Sequence, residues 1–146
     1  DMLVFDLDPG EGLAWEVVIE TALTLRRMLQ DEGLKPWPKL TGGKGLHLMA
    51  PLDGTMDHDA ARAHAKQIAL RLTSSAPDRY TLASAPGKRA GRIFIDYLRN
   101  GRGTTAVGAW SPRARAGFPV AAPVSWRQVE NGIGSGAFTM ERPPRR

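Results

Sequence analysis

Residues 2–9 read MLVFDLDP, an apolar run that carries two aspartates and ends at a proline. Such a run is typical of a short buried strand. Successive side chains of a strand point to opposite faces, so Asp6 and Asp8 are expected on the same face. Two neighbouring carboxylates repel each other, and a hard divalent cation such as Mg²⁺ or Mn²⁺ would relieve that repulsion. A strand end that runs into a solvated Asp-Pro-Gly turn explains this stretch, taken alone, equally well.

The composition of the 146-residue chain is that of an ordinary globular domain, with 42% hydrophobic and 24% charged residues. The length allows one domain, which we place over residues 1–140, followed by an extended tail or linker over residues 141–146. The absence of cysteine excludes disulfides and thiolate metal sites and fits a cytoplasmic protein. No apolar run is long enough to cross a membrane, so no membrane partner is expected. The net charge of +5 favours a polyanionic partner such as nucleic acid or nucleotides.

Hydrophobic periodicity predicts two amphipathic helices, one over residues 13–33 with Gly33 at its C-terminal end and one over residues 57–76. Besides the opening strand, the predicted strands cover residues 35–41, 46–50, 80–83 and 92–98. The proline-containing strand over residues 35–41 is expected at an edge of the sheet, because proline cannot donate to a neighbouring strand.

The main elements therefore follow the βαββαβ order of ferredoxin-like and RRM-like folds. We expect an α+β domain with a mainly antiparallel sheet and its helices on one face. In this topology the last and the third strands lie on either side of the first. Asp96, near the end of the last strand, is then expected beside Asp6 and Asp8, with His47 flanking them across the sheet. Three carboxylates from neighbouring strands favour a two-metal site far more strongly than the first pair does.

A glycine-rich loop, Thr41-Gly42-Gly43-Lys44-Gly45, precedes His47. Glycines let backbone N–H groups approach an anion closely, while Lys44 adds a positive charge and Thr41 a hydroxyl donor. The loop is not a Walker A motif, because its spacing differs and a strand follows it. By itself it is more typical of a hairpin turn with a solvated lysine, and His47 by itself of a buried sheet histidine. Beside three carboxylates, they predict a cradle for a triphosphate.

Three of these segments together resemble a known family. Residues 5–9 (FDLDP), 41–47 (TGGKGLH) and 95–97 (IDY) are similar to motifs I, II and III of the archaeo-eukaryotic primase superfamily. The set resembles in particular the polymerase domain of the bacterial end-joining DNA ligase D. Further similar segments cover residues 104–105, 111–115, 119–120 and 123–126. The resemblance spans almost the whole chain.

By this resemblance, Asp6, Asp8 and Asp96 are the catalytic residues and bind two divalent ions, either Mn²⁺ or Mg²⁺. The residues implied to bind the nucleoside triphosphate are Thr41, Gly43, Lys44, His47 and Arg113. The family usually has serine where this chain has Thr41, which keeps the hydroxyl group.

Further contacts to nucleotide or nucleic acid are implied for Arg99, Arg115 and Arg89. Arg89 belongs to a basic cluster with Lys88 and Arg92, for which a solvated charge run is an equally good explanation.

The resemblance implies a template-directed nucleotidyltransferase that adds ribo- or deoxyribonucleotides to a primer 3′-hydroxyl at DNA breaks during non-homologous end joining. It implies DNA ends, the Ku protein, and ligase and phosphoesterase domains as partners, and a bacterial, nucleoid-associated location. It also implies activity with Mn²⁺ and a preference for ribonucleotides. The family domain has an additional portion before motif I that recognises the DNA end. We therefore expect this chain to be a piece of a longer protein, with impaired or no activity by itself.

Two other function classes stay open at this point. A haloacid-dehalogenase-like phosphohydrolase also opens on a strand with Asp-x-Asp, but it needs a threonine where this chain has Gly10 and a doubly wound parallel sheet. A non-catalytic nucleic-acid-binding module on the same scaffold would stack bases on exposed sheet aromatics. The central strands here carry carboxylates instead, which would repel a phosphate backbone.

Overall fold

The computed structural model describes residues 2–41, 44–52, 57–98 and 122–132. Within these residues the elements are, in chain order, β1 (Met2–Pro9), α1 (Trp15–Asp31), β2 (Trp37–Leu40), β3 (Leu46–Pro51), α2 (His58–Ser75), β4 (Tyr80–Thr81), α3 (Pro86–Arg89), β5 (Ile93–Asp96), β6 (Ala122–Pro123) and α4 (Trp126–Glu130). None of the helices in this part of the chain has the length and hydropathy needed to span a bilayer.

The strands of the described residues form one sheet in the order β4-β5-β1-β3-β2-β6. All neighbouring pairs are antiparallel except β4 and β5, which run parallel. The central strand β1 lies between β3 and β5, as the βαββαβ order predicts. The α+β class with a mainly antiparallel sheet is thereby confirmed. This sheet is not the doubly wound parallel sheet that the phosphohydrolase alternative requires.

Alternation along β1 separates a core face from an open face. Leu3, Phe5 and Leu7 are fully buried in the hydrophobic core, and burial of each such side chain stabilises a fold by about 1.5–3 kcal/mol. Every second residue of β3 and β5 joins them there, together with the apolar faces of both α1 and α2. The two long helices therefore pack on one face of the sheet. The same alternation turns Asp6 and Asp8 to the opposite face.

The boundaries of both long helices lie close to those that the sequence predicts. After α1, Gly33 adopts a left-handed conformation with φ of +82°, and the N–H groups of Gly33 and Leu34 donate to the carbonyls of Gln30 and Leu29. This is the Schellman arrangement, which favours glycine at that position. The α2 helix begins after Asp57, whose carboxylate accepts a hydrogen bond of 2.7 Å from the Ala60 N–H.

The prediction that β2 is an edge strand was wrong. Within the described residues β2 has β6 on its outer side, where Lys39 and Leu40 pair with Pro123 and Ala122. Pro38 does not prevent this second pairing, because its carbonyl still accepts a hydrogen bond of 3.2 Å from the Val124 N–H. A proline removes only the donor of its residue.

Three short elements were not predicted: α3, β6 and α4. The start of α4 has a local signal, because the Ser125 side chain and the Gln128 side chain cap each other's backbone N–H groups, and the Ser-x-x-Gln pattern is visible in the sequence. The predicted strand over residues 92–98 is shorter in the structure and ends at Asp96. The predicted boundary at residue 140 lies outside the described residues.

Candidate functional site

One row of residues crosses four strands on the open face of the sheet. In the antiparallel registers, Asp6 on β1 is the partner of both Asp96 on β5 and His47 on β3. His47 is in turn the partner of Lys39 on β2. We call these four residues, Asp96, Asp6, His47 and Lys39, the cross-strand row. Directly paired side chains are neighbours, and Asp8 lies two residues from Asp6 on the same face, so strand pairing brings the three predicted carboxylates to one patch.

Asp6 and His47 are in contact at the centre of this row. The His47 ring is 1% exposed, and its Nε2 lies 3.4 Å from the Asp6 Oδ2. Its other nitrogen, Nδ1, is buried and finds no hydrogen-bond partner among the described residues. A buried polar atom without a partner costs about 1–3 kcal/mol, and such atoms often mark a place that a ligand completes.

The glycine-rich loop approaches the carboxylates through its backbone. A Cβ atom at Gly45 would lie 2.9 Å from the Leu7 carbonyl oxygen and 3.0 Å from the Asp6 Oδ1, so a larger residue does not fit. The Thr41 hydroxyl is buried and donates to the Gly45 carbonyl at 3.2 Å, which closes the loop. Lys44 is thereby held close enough to Asp8 for its charge to stabilise that carboxylate.

The surroundings of Asp8 disfavour ionisation of its carboxyl group. Burial raises the pKa of the Asp8 carboxyl above its usual value of 3.8, and repulsion by Asp6 adds to the rise. Arg89 opposes both effects, because its Nη1 lies 3.1 Å from the Asp8 Oδ2. A carboxylate pair that is costly to ionise together is the electrostatic condition that a bound cation relieves.

Asp96 lies at the β5 end of the cross-strand row, next to Asp6. Its Oδ1 accepts a hydrogen bond of 2.9 Å from the Leu98 N–H, so each of the three carboxylates has a contact of its own. Accordingly, the described residues hold no group of three or more His, Asp or Glu side chains already arranged around a metal position. The donor chemistry nevertheless fits Mg²⁺ or Mn²⁺, because all three candidates offer hard carboxylate oxygen atoms.

A pocket of about 370 Å³ opens at the end of β1. Its lining residues are Pro9, Gly10, Glu11, Lys44, Arg89 and Ala90. Two of these side chains are cationic and one is anionic, so the pocket offers a net positive surface next to Asp8. Such a surface suits a phosphate group.

Four of the predicted site residues lie outside the described residues: Gly43, Arg99, Arg113 and Arg115. Lys39 is a site candidate that the sequence analysis did not identify. It is 5% exposed and stands in the cross-strand row beside His47. At this position β2 is paired on both sides, with His47 on β3 and Pro123 on β6. The sequence gives one signal for Lys39: it lies two residues before Thr41, so a strand places both side chains on the same face.

The mainly antiparallel βαββαβ sheet, with aspartates from β1 and β5 on its open face, is the arrangement that the resemblance to primase-polymerase cores predicts. The family model of the LigD primase-polymerase domain matches residues 1–146, and the chain therefore belongs to that family. The resemblance noted from the three motifs is thereby confirmed.

Relatives with known names agree with this assignment. The multifunctional non-homologous end joining protein LigD of Pseudomonas aeruginosa is 37% identical over 146 residues, which are 100% of this chain and 17% of that protein. The multifunctional non-homologous end joining DNA repair protein LigD of Mycobacterium tuberculosis H37Rv is 39% identical over 129 residues, which are 88% of this chain and 17% of that protein.

A solved structure is similar as well. The polymerase domain of Mycobacterium tuberculosis ligase D, solved in complex with DNA, superposes with a TM-score of 0.86 at 38% identity. The match covers 90% of this chain and 46% of that domain. The chain thus spans less than half of the solved domain and less than a fifth of the Pseudomonas aeruginosa and Mycobacterium tuberculosis LigD proteins.

Proposed function

We propose that this chain is the catalytic core of a template-directed nucleotidyltransferase. It adds ribo- or deoxyribonucleotides to a primer 3′-hydroxyl at DNA breaks during non-homologous end joining. The observation that supports this most strongly is the strand register that collects Asp6, Asp8 and Asp96 on the open face. Membership of the LigD primase-polymerase family gives that acidic patch its chemical context.

In this proposal Asp6, Asp8 and Asp96 hold two divalent ions, Mn²⁺ or Mg²⁺. Divalent ions held by these carboxylates would supply activation of the primer hydroxyl and neutralisation of the negative charge on pyrophosphate. His47 orients Asp6 through the contact between Nε2 and the carboxylate. Because His47 is almost fully buried, that orientation is held by packing as well as by the contact itself.

The nucleoside triphosphate binds next to the carboxylates in this proposal. Lys44 is exposed at the mouth of the pocket and places its charge where the phosphates accumulate negative charge during transfer. Thr41 holds the loop closed through Gly45. The remaining proposed nucleotide contacts are Gly43, His47 and Arg113, and those proposed for nucleotide or nucleic acid are Arg99 and Arg115.

The proposed partners are DNA ends with a primer and template, the Ku protein, and ligase and phosphoesterase domains, at the bacterial nucleoid. The support for DNA is the net charge of +5, because lysine and arginine gain affinity for nucleic acid by releasing counterions from phosphates. The related Mycobacterium tuberculosis domain was solved with DNA. The other partners and a preference for ribonucleotides are proposed from the family alone.

Asp6→Asn and Asp96→Asn, placed in the complete polymerase domain, test the proposal in a primer-extension assay with Mn²⁺. Each substitution keeps the size of the side chain but removes a charged metal ligand, so we expect nucleotide addition to fall by at least about a hundredfold. The matched control is Asp31→Asn, an exposed aspartate at the end of α1, which should keep wild-type activity. Undiminished extension by Asp6→Asn, with an unchanged melting temperature, would remove the acidic patch from the mechanism.

A further inference from the structure

A second pocket, of about 210 Å³, adjoins the pocket at the end of β1. The two pockets share four lining residues: Pro9, Gly10, Glu11 and Lys44. The residues that line only the second pocket are Gly12, Leu13 and Trp15. Glu11 and Lys44 therefore lie where the two pockets meet, so a carboxylate and an ammonium group line the same space.

A tight turn holds Glu11 in this place. The Leu13 N–H donates to the Gly10 carbonyl at 3.4 Å, and Gly12 has a φ of +83°, which is typical of the third residue of a type II turn. The turn is anchored at both ends. On one side the Gly10 N–H donates to the Arg92 carbonyl at 2.8 Å, and on the other Leu13 packs against the hydrophobic core.

The charges in the pocket are paired unequally. Arg89 contacts Asp8, with 3.1 Å between Nη1 and Oδ2. The exposed Glu11 carboxylate, in contrast, forms no ion pair with another described residue, and neither does Lys44. A phosphate group that the Lys44 ammonium attracts therefore meets the negative charge of Glu11 in the same pocket.

We propose that Glu11 is a specificity-determining residue that lowers the affinity of the pocket for free pyrophosphate relative to nucleoside triphosphate. This inference rests on the proposed function, since it presupposes that the phosphates bind beside Lys44.

The difference between the two ligands follows from the charge that nucleotidyl transfer moves. The primer 3′-oxygen loses its proton to solvent and forms a bond to the α-phosphorus. The bond between that phosphorus and the bridging oxygen breaks, and its electron pair remains on pyrophosphate. The two product phosphates therefore carry more negative charge than they carry within the nucleotide. Glu11 consequently repels the product more strongly than the substrate and favours its departure.

The test is inhibition of primer extension by pyrophosphate, measured with Mn²⁺ in the complete polymerase domain. Glu11→Gln removes the charge and keeps the size of the side chain. We expect pyrophosphate to inhibit this variant at a roughly two- to fivefold lower concentration, the range for one charge that acts through water over a few ångströms. The KM for nucleoside triphosphate should fall by a smaller factor. Glu11→Asp keeps the charge and should stay close to the wild type, and melting temperatures verify that all variants are folded.

The matched control is Glu16→Gln, which removes the same charge from an exposed residue in the first turn of α1 that lines neither pocket. It should leave inhibition by pyrophosphate unchanged, whereas an equal gain in both variants would reduce the effect to net charge and overturn the inference. Unchanged or weaker inhibition of Glu11→Gln would overturn it too, and so would an equal change in the KM for nucleotide. Lys44→Met separates the two proposals: it should weaken inhibition by pyrophosphate, and undiminished inhibition would contradict the proposed phosphate site itself.

Discussion

At the scale of single residues, the site depends on a place where only glycine fits. Gly45 lies so close to β1 that an added methyl group would reach the Leu7 carbonyl and the Asp6 carboxylate. We expect Gly45→Ala to cost about 1–3 kcal/mol of stability, as overpacking usually does, and to displace Lys44 from the pocket. Denaturant unfolding and nucleotide affinity would measure the two effects. The control is Gly87→Ala, where an added Cβ atom meets nothing within 4 Å.

Asp8 gives a prediction about pH. Burial holds the pKa of its carboxyl above the value of the unfolded chain, so the folded state binds this proton more tightly than the unfolded state does. The contribution of Asp8 to stability therefore falls as the pH rises from the unfolded pKa through the folded one. Without added metal, we expect the melting temperature of Asp8→Asn to equal or exceed that of the wild type at neutral pH. Any excess should disappear in acid, where the Asp8 carboxyl of the wild type is protonated. A lower melting temperature of the variant at neutral pH would contradict this account.

The same residues show what a sequence can and cannot predict. The sequence predicted that four residues lie close together: Asp6, Asp8, Asp96 and His47. Strand alternation gives the face of each side chain, and the order of elements gives the strands that pair. The burial of Lys39 and the contact between Arg89 and Asp8 were not predicted. Lys39 is buried on a strand whose second neighbour, β6, comes from a distant part of the chain. Arg89, which contacts Asp8, lies on a four-residue helix close to Gly10, and so short a helix has no periodic signal.

At the scale of elements, the hydrophobic core and the candidate site lie on opposite sides of the sheet. The α2 helix packs on the core face, and its first turn is capped by Asp57. We expect Asp57→Ala to cost about 0.5–2 kcal/mol of unfolding free energy without changing nucleotide affinity. The control is Asp59→Ala in the same turn, whose exposed side chain does not provide the cap. Thermal unfolding together with nucleotide binding measures both, and a loss of nucleotide affinity in Asp57→Ala would refute the separation of the two faces.

At the scale of the whole molecule, the order of strands was predictable and the full width of the sheet was not. The βαββαβ order placed β1 between β3 and β5, because connections of that kind leave few alternatives. The outer strand β6 is two residues long and contains a proline, so neither its length nor its composition separates it from a loop. The strand that pairs with it, β2, was therefore wrongly predicted to be an edge strand. A strand this short is defined by the strand with which it pairs, and the local sequence does not specify that partner.

The alternation along β1 has a consequence for how the chain tolerates change. One set of its residues fills the core and the other carries the acids, so inserting a single residue within the strand would exchange the two sets. Apolar side chains would then be exposed and the acids driven inward. An insertion of two residues would preserve which side each group faces, although it would shift the acids lengthwise. Selection for a well-filled interior therefore also preserves the alignment of the acidic face against insertions and deletions of single residues within β1.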